Sequence, residues 1–434
     1  MVERRQRLRA WTREACALHR DALLGERSLG GVMQISAIPG LDDETNEFRA
    51  LTAEFVAKEV IPNEHFLRDG SDALGHFARI QALVKQAGLW APHLPAEYGG
   101  MGLGFLQLAY MYEILAWSPF SSALFGIMAP NSGNARLLLQ YGTPAQKKEW
   151  LEPLVDGRMQ SCFAMTEPDR AGSDPRSLRT RAVRDGDSWV ITGHKWMVSN
   201  ARRADFAIVM CRTETTNGDD NKSMTQIIVP TRAPGFTIVR DVPVWGEESG
   251  HHGEIILDHV RVPLDNQLGP RGTGHQAAQD RLGAGRVYHC MNCVGQMWRA
   301  FDLMVRRSVE REVHEGLLET KQFIQGFIAD SYMDIQAARL LTIRCAEQIE
   351  RGGDARTDIS AIKIFVPAAL SRVADRAIQI HGALGVSADL PLEAMYRGAR
   401  TLRLADGPDE VHRILIAKNV LATYHRGESW DFGA

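Results

Sequence analysis

Cysteine is scarce and scattered. Six residues in 434, at Cys16, Cys162, Cys211, Cys290, Cys293 and Cys345, form no disulfide framework, and this usage fits a reducing, cytoplasmic compartment. Long apolar runs are missing. No stretch of about eighteen apolar residues occurs, so no transmembrane helix is expected. Neither sign of charge dominates: 50 Lys and Arg against 53 Asp and Glu leave a net charge of −3. That balance does not point to nucleic acid as a partner. No secretory signal, internal repeat or low-complexity tract is found. The first thirty-odd residues are Arg-rich, but Glu3, Glu14, Asp21 and Glu26 count against a transit peptide. Residues 1–40 are read as an extension, either an appended amphipathic helix or an over-extended start before Met33.

What remains is 44% apolar content over 434 residues, enough for a large core and two or three domains. From Leu41 to about Gln160 the pattern is helical. Phe48, Leu51, Phe55 and Val56 share a face, and Pro62 is expected to end that helix. "SALFGIMAPNSGNARLLLQYG" reads as buried helix. Near Ser161 short β-like runs begin to alternate with turns, and "RDGDSW" marks a hairpin. From Gly274 to about His425 long helical segments return. The division is therefore 1–40 extension, 41–160 helical, 161–272 β and 273–434 helical. The fold class is mainly α with a central β domain, a small barrel or sandwich between a helical domain and a helical bundle. Regular βαβ alternation is missing, which argues against a Rossmann domain. "GTGHQA" (Gly272–Ala277) has the spacing of a dinucleotide fingerprint, but no second strand with an acidic residue follows it.

Two short stretches invite chemistry. "HCMNC" (His289–Cys293) has C-x-x-C spacing without a second Cys/His pair, and is read as helix-face cysteines. "LADGPDEVHR" (Leu404–Arg413) holds three acids. With Gly407 as N-cap and Pro408 at the first helical position, Asp409 and Glu410 fall in a first turn, where negative charge is favoured. Val411, Ile414, Leu415 and Ile416 continue as the helix's apolar face. Asp406 lies before the helix and has no such structural role.

"CFAMTEPDRAGSD" (Cys162–Asp174) closely resembles the signature of the acyl-CoA dehydrogenase flavoproteins. "PAEYGGMGL", "ITGHKWMVSN", "LDHVRVP", "QIHGALGV" and "ADG" support it in order, over about Leu41 to His425. "RLGAGRVYHCM" and "LADGPDEVH" resemble the subgroup with Asp in place of the usual Glu as base.

The resemblance implies a helical–β–helical fold with FAD between the β domain and the C-terminal helices. Phe163, Met165 and Thr166 match the strand beside the isoalloxazine. Ser173 matches a residue between pyrophosphate and substrate, on a turn whose backbone N–H groups can approach an anion. Met197 takes the slot that packs on the flavin face, because Trp196 stands one position early, and Ser199 would reach flavin N5. Arg311 and Gln322 match contacts to the diphosphate and adenine half, and Gln379, Gly382 and Gly385 match the dinucleotide-contacting turn. Some of these would reach the FAD of a neighbouring subunit, which implies a homodimer or homotetramer. Taken as structure alone, Gly382 and Gly385 are a helix C-cap.

The implied reaction is α,β-dehydrogenation of an acyl-CoA thioester, with electron-transferring flavoprotein as acceptor. Asp406 aligns with the base, which needs a dry pocket to raise its affinity for a proton. Gly407 would admit the thioester beside it. Arg286 matches an arginine close to substrate and base. The other position that carries the base in some relatives is Gly285, and the nearest spare carboxylate, Asp280, is more than a helical turn from it. A nitroalkane-type flavin oxidase with an Asp base is the alternative. A flavoprotein monooxygenase would not need a carboxylate at 406, and a scaffold would bind no FAD.

Overall fold

A computed structural model of the protein describes residues 33–69, 72–213, 223–246 and 251–431. Most of the expected N-terminal extension, with Cys16, lies outside the described residues. In chain order the longer elements begin with helices α1 (Asp43–Phe55), α2 (Ala73–Gln86), α3 (Phe105–Leu115) and α4 (Asn131–Tyr141). Strands follow: β1 (Ser161–Ala164), β2 (Arg181–Asp185), β3 (Ser188–Ser199), β4 (Phe206–Arg212), β5 (Met224–Pro230), β6 (Phe236–Asp241), β7 (His252–Pro263) and β8 (Gln267–Leu268). Then come helix α5 (Gly274–Glu310), a hairpin of β9 (Glu312–Val313) and β10 (Gly316–Leu317), and helices α6 (Gln322–Glu350), α7 (Arg356–His381), α8 (Leu392–Leu402) and α9 (Asp409–His425). By contact the chain forms two compact units. One holds residues up to Gly126 together with Arg286 onward, and the other holds Ile127–Gly285.

In the helical unit, α1 starts where Asp42 accepts a hydrogen bond from the Thr45 N–H at 2.7 Å. Phe48, Leu51, Phe55 and Val56 are all buried, as their spacing predicts. Pro62 does not stop the chain there. It sits in a tight single turn at Ile61–Asn63, where its missing N–H costs little, and a helix resumes at Glu64. The expected helix across "SALFGIMAPNSG" is also broken. Only Ser121–Leu124 is helical before Gly126 turns left-handed, with φ +71°, and α4 begins after Pro130. A Cβ at Gly126 would come 2.8 Å from the Trp90 ring, so the close approach requires glycine. Arg376 on α7 reaches Asp334 on α6 at 2.8 Å, which joins the two helices as an antiparallel pair. Buried Glu113 of α3 accepts bonds from Trp298 of α5 and Arg339 of α6 at 3.1 and 2.6 Å.

In the β unit one sheet has the strand order β6-β7-β3-β2-β4-β5-β8, and β1 adds to β4 in parallel. The hairpin predicted at "RDGDSW" turns through Gly186 and Asp187, with Gly186 at φ +59°. Residues of β1, β2, β3, β4, β5 and β7 share a single apolar core, so the sheet wraps around its own interior. Strand β4 is buried on both faces. Ala207, Val209 and Cys211 enter that core, while Met210 joins Leu178, Met224 and Ala278 on the other side.

One amphipathic expectation fails. In α9 the residues fully buried are Asp409 and His412, whereas Ile414 is 53% exposed. The helix turns its polar residues inward because Arg403 and Ser360 wait for them there. Among the described residues no helix is long and apolar enough to cross a membrane.

Candidate functional site

The turn before α9 is built around a backbone strain. Asp406 has φ +56°, rare for a residue with a side chain, and Gly407 follows at φ +103°. Two donors hold that shape by converging on the Asp406 carbonyl. Arg286 Nε of α5 donates at 2.9 Å, and His412 Nε2 of α9 lies at 3.3 Å. His412 Nδ1 is 3.1 Å from Ser360 Oγ of α7. That pairing is consistent with a neutral ring that donates from Nε2 and accepts at Nδ1. Burial pushes the His412 ring down to about 4, and the charges of Arg286 and Lys363 push the same way. Lys363, also buried, donates to the Leu402 carbonyl. Burial lowers Arg286 as well, partly offset by Asp406.

With its backbone clamped, the Asp406 side chain stands a quarter exposed, and its Oδ2 is 3.4 Å from His289 Nε2. Arg286 therefore binds the backbone of Asp406 rather than its carboxylate. Gly407 is required by its neighbour, since a Cβ there would come 2.9 Å from His412 Nε2. Pro408, in extended conformation, is the N-cap, and α9 begins one residue later than expected. Asp409 is more than a helix-start charge: it is buried and accepts from Arg403 Nε at 2.8 Å. Glu410 remains exposed.

The β unit gathers a second group of the expected residues. Phe163, Met165 and Thr166 lie on or just after β1, partly exposed. Thr166 bridges to β3 in both directions: its Oγ1 donates to the Trp196 carbonyl at 2.7 Å and its own carbonyl accepts the Trp196 N–H at 3.1 Å. The hydroxyl oxygen keeps acceptor capacity. The Gly172 turn approaches it, with an added Cβ falling 3.3 Å from Thr166 Cγ2, and Ser173 is exposed on that turn. Met197 sits in a β-bulge, where three steps from Lys195 to Val198 oppose two from Ile255 to Gly253. Its φ is +52° and its side chain is 37% exposed, so the bulge aims it away from the core. Ser199 Oγ lies 3.0 Å from His252 Nδ1. Arg281 lies over the Phe163 ring at 4.3 Å, and Asp280 is taken up by Tyr141 and Gln276.

A third group gathers at one end of the α6–α7 pair. Arg311 leaves α5 at the β9–β10 hairpin, Gln322 opens α6, and Gln379 ends α7. All three are exposed. Gly382 caps α7 at φ +61°, with its N–H on the Gln379 and Ile378 carbonyls. Gly385 is buried so tightly that a Cβ would meet the Ile378 carbonyl at 2.6 Å.

Several members of these groups were not picked out from sequence. Buried Glu167 of the TEP stretch accepts from the Arg179 and Thr180 N–H groups at 2.7 and 2.8 Å, from Thr180 Oγ1 at 2.7 Å, and from Lys195 Nζ at 3.1 Å. Lys195, wholly buried, also donates to the Met165 carbonyl at 2.8 Å. His289, His412, Ser360 and Lys363 come from three different helices around Asp406. His289 and His412 lie inside the stretches "RLGAGRVYHCM" and "LADGPDEVHR", whereas Ser360 and Lys363 carry no sequence signal. The thiols of "HCMNC", Cys290 and Cys293, are fully buried, and burial pushes the Cys293 thiol up to about 12.

Comparison with known proteins places the chain by family and by fold. The N-terminal, middle and C-terminal domain families of acyl-CoA dehydrogenases match residues 42–158, 162–260 and 272–421. The chain is 39% identical over 390 residues to the probable acyl-CoA dehydrogenase FadE2 of Mycobacterium tuberculosis, covering 87% of this chain and 95% of the relative. It is 40% identical over 347 residues to acyl-CoA dehydrogenase family member 11 of Gallus gallus, covering 78% of this chain. The chain spans only 44% of that relative's length. Among solved structures, butyryl-CoA dehydrogenase of Megasphaera elsdenii aligns with a TM-score of 0.76 at 27% identity, over 90% of this chain and all of that one.

Proposed function

The chain belongs to the acyl-CoA dehydrogenase family, and from that premise we propose that it carries out FAD-dependent α,β-dehydrogenation of an acyl-CoA thioester to the 2-enoyl-CoA, with Asp406 as base. The observation that carries this reading is the construction at Asp406. Its carbonyl is fixed by Arg286 and His412, while its carboxylate is left partly exposed. A carboxylate so placed can take the α-proton as the electron pair moves into the thioester. No other carboxylate stands in for it at Gly285, and Asp280 is bound to Tyr141 and Gln276.

Bound FAD would supply the acceptor for the β-hydride. The residues of the β unit suit a flavin ring by their chemistry. Phe163, Met165 and Met197 are neutral and partly or largely exposed, and Thr166 and Ser199 add hydroxyls. Ser173 and the turn around it would face the pyrophosphate and substrate. Arg311 and Gln322, with Gln379, Gly382 and Gly385, would hold the diphosphate and adenine half, in part across subunits. A homodimer or homotetramer is supported by apolar side chains left open on single-chain helices: Phe323, Met333 and Leu340 on α6, and Leu421 and Tyr424 on α9. Electron-transferring flavoprotein is the acceptor this reading requires. The chain falls in the subgroup that uses Asp as base. Asp is a methylene shorter than Glu, so the thioester must lie closer by about 1.5 Å.

The test is anaerobic flavin bleaching by a panel of acyl-CoA thioesters. Asp406→Asn abolishes bleaching, with a rate loss of about 10²–10⁴-fold or more, while FAD stays bound. Bleaching retained in the variant overturns the assignment. Hydrogen peroxide formed from nitroalkanes, with no response to acyl-CoA, would replace it with an oxidase.

A further inference from the structure

Beside the carboxylate proposed as base stands the imidazole of His289. We propose that His289 is a positioning residue for Asp406, holding the carboxylate through its Oδ2 while Arg286 holds the same residue's carbonyl. This rests on the reading of Asp406 as base. The two side chains leave α5 three residues apart, hence from one face of the helix. Arg286 Nε reaches the carbonyl at 2.9 Å and His289 Nε2 lies 3.4 Å from Oδ2. One helix thus addresses both ends of Asp406, and the strained φ of +56° is held from both sides.

The arrangement leaves Oδ1 for the substrate. With His289 on Oδ2, the α C–H bond breaks, its electron pair stays on the thioester as an enolate, and the proton goes to Asp406 Oδ1. A contact of 3.4 Å is long for a hydrogen bond, and such contacts tighten when the reacting complex forms. His289 is 39% and Asp406 25% exposed, so solvent protons reach the pair. Among the described residues, the other titratable or charged groups that interact with Asp406 are Arg286 and Cys290 on α5, Lys363 on α7 and His412 on α9. His412 is spent on the backbone carbonyl and Ser360, Lys363 on the Leu402 carbonyl, and Cys290 is fully buried. His289 is the group of this set that meets the carboxylate oxygen itself. Protonating it adds a positive charge beside that oxygen, so its loss moves the acid limb of the base toward higher pH.

The experiment follows exchange of the acyl-CoA α-hydrogens into D2O, under anaerobic conditions and against pH, in the FAD-loaded enzyme. This reads proton transfer separately from the redox step. His289→Ala is expected to lower the exchange rate roughly ten- to a hundredfold, with KM nearly unchanged and the acid limb shifted up in pH. His289→Gln keeps a donor without a titrating ring, so it restores part of the rate but none of the imidazole's pH dependence. An exchange rate and profile unchanged in His289→Ala overturn the proposal. So does a fall that Gln fails to relieve, accompanied by loss of FAD. A second measurement separates the two readings. The His289 titration, followed by NMR, moves to lower pH in Asp406→Asn if the pair exists. An unmoved titration overturns the pair, whereas α-hydrogen exchange surviving in Asp406→Asn overturns Asp406 as base.

Discussion

Two carboxylates, Glu167 in the β unit and Asp406 in the helical unit, lie in the two most family-like stretches of the chain, and the structure treats them oppositely. Glu167 is sealed. Its oxygens accept from two backbone N–H groups, a hydroxyl and the buried Lys195 ammonium. Burial alone would raise its affinity for a proton, but Lys195 and the bonds from Thr180 and Arg179 outweigh it and hold the carboxyl below the usual range. Asp406 is clamped by its backbone, and its carboxylate projects partly exposed. A carboxylate that accepts from four donors ties strands together. One whose main chain is fixed and whose side chain is spared can take a proton. The conspicuous TEP acid is thus a strut between the end of β1 and β3, and the acid on the strained turn is the one proposed as base.

The sharpest break of that contrast is removal of the strut. Lys195→Met leaves Glu167 buried with its counter-charge gone, which is expected to cost about 3–5 kcal/mol of stability. Denaturant unfolding measures it. Adding Glu167→Gln removes the uncompensated charge, so the double variant should lose less than Lys195→Met alone. Near-additive losses would show that the pair is not a unit.

A smaller effect separates the two regions by pH. His412 is held neutral down to about 4 in the folded state, whereas the unfolded chain takes its proton near 6.5. The unfolded state therefore binds more protons between these values, and stability falls as pH drops from 6.5 toward 4, by at most about 3 kcal/mol. Glu167 acts in another window. Its folded value is depressed, so its contribution is present above 4.5 and is lost only as pH falls through that lower value. Between pH 6.5 and 4.5 His412 contributes most of the slope, with smaller parts from His252 in the β unit and His381 in the helical unit, which burial also lowers. His412→Gln should reduce that slope, and Lys195→Met should not. A slope unchanged in His412→Gln would count against the buried neutral ring.

How much of this could be read from the sequence follows the range of each interaction. Helices with a buried stripe, the Gly186 hairpin and the position of Asp406 outside α9 are local, and local patterns predicted them. The Glu167–Lys195 pair is 28 residues long-range, visible only once β1 lies beside β3. The Asp406 cluster draws Arg286 and His289, Ser360 and Lys363, and His412 from three helices, and no spacing in the sequence brings them together. The early Trp196 in "KWMVSN" was legible as an anomaly, but its cause, a bulge that turns Met197 outward, needed the register of β3 against β7. In α9 apolar spacing does not mark the buried face. The inward residues are polar, and their partners Arg403 and Ser360 lie outside the helix.

The smallest predicted effect tests whether the strained turn itself sets the open carboxylate apart from the sealed one. Gly407→Ala must hold φ near +103°, which an L side chain rarely adopts, and its Cβ would meet His412 Nε2 at 2.9 Å. The ring cannot retreat freely, since Ser360 holds its other nitrogen and Nε2 serves the Asp406 carbonyl. The backbone strain is expected to cost about 1–3 kcal/mol. Because the clash falls on the atom that clamps Asp406, catalytic turnover should fall along with stability. His412→Ala in the same chain removes the steric part but not the backbone part, so it should recover some stability and no activity. A Gly407→Ala variant as stable and active as the parent would mean that the turn is not held by this contact. The open carboxylate would then owe its position to Arg286 and His289 on α5.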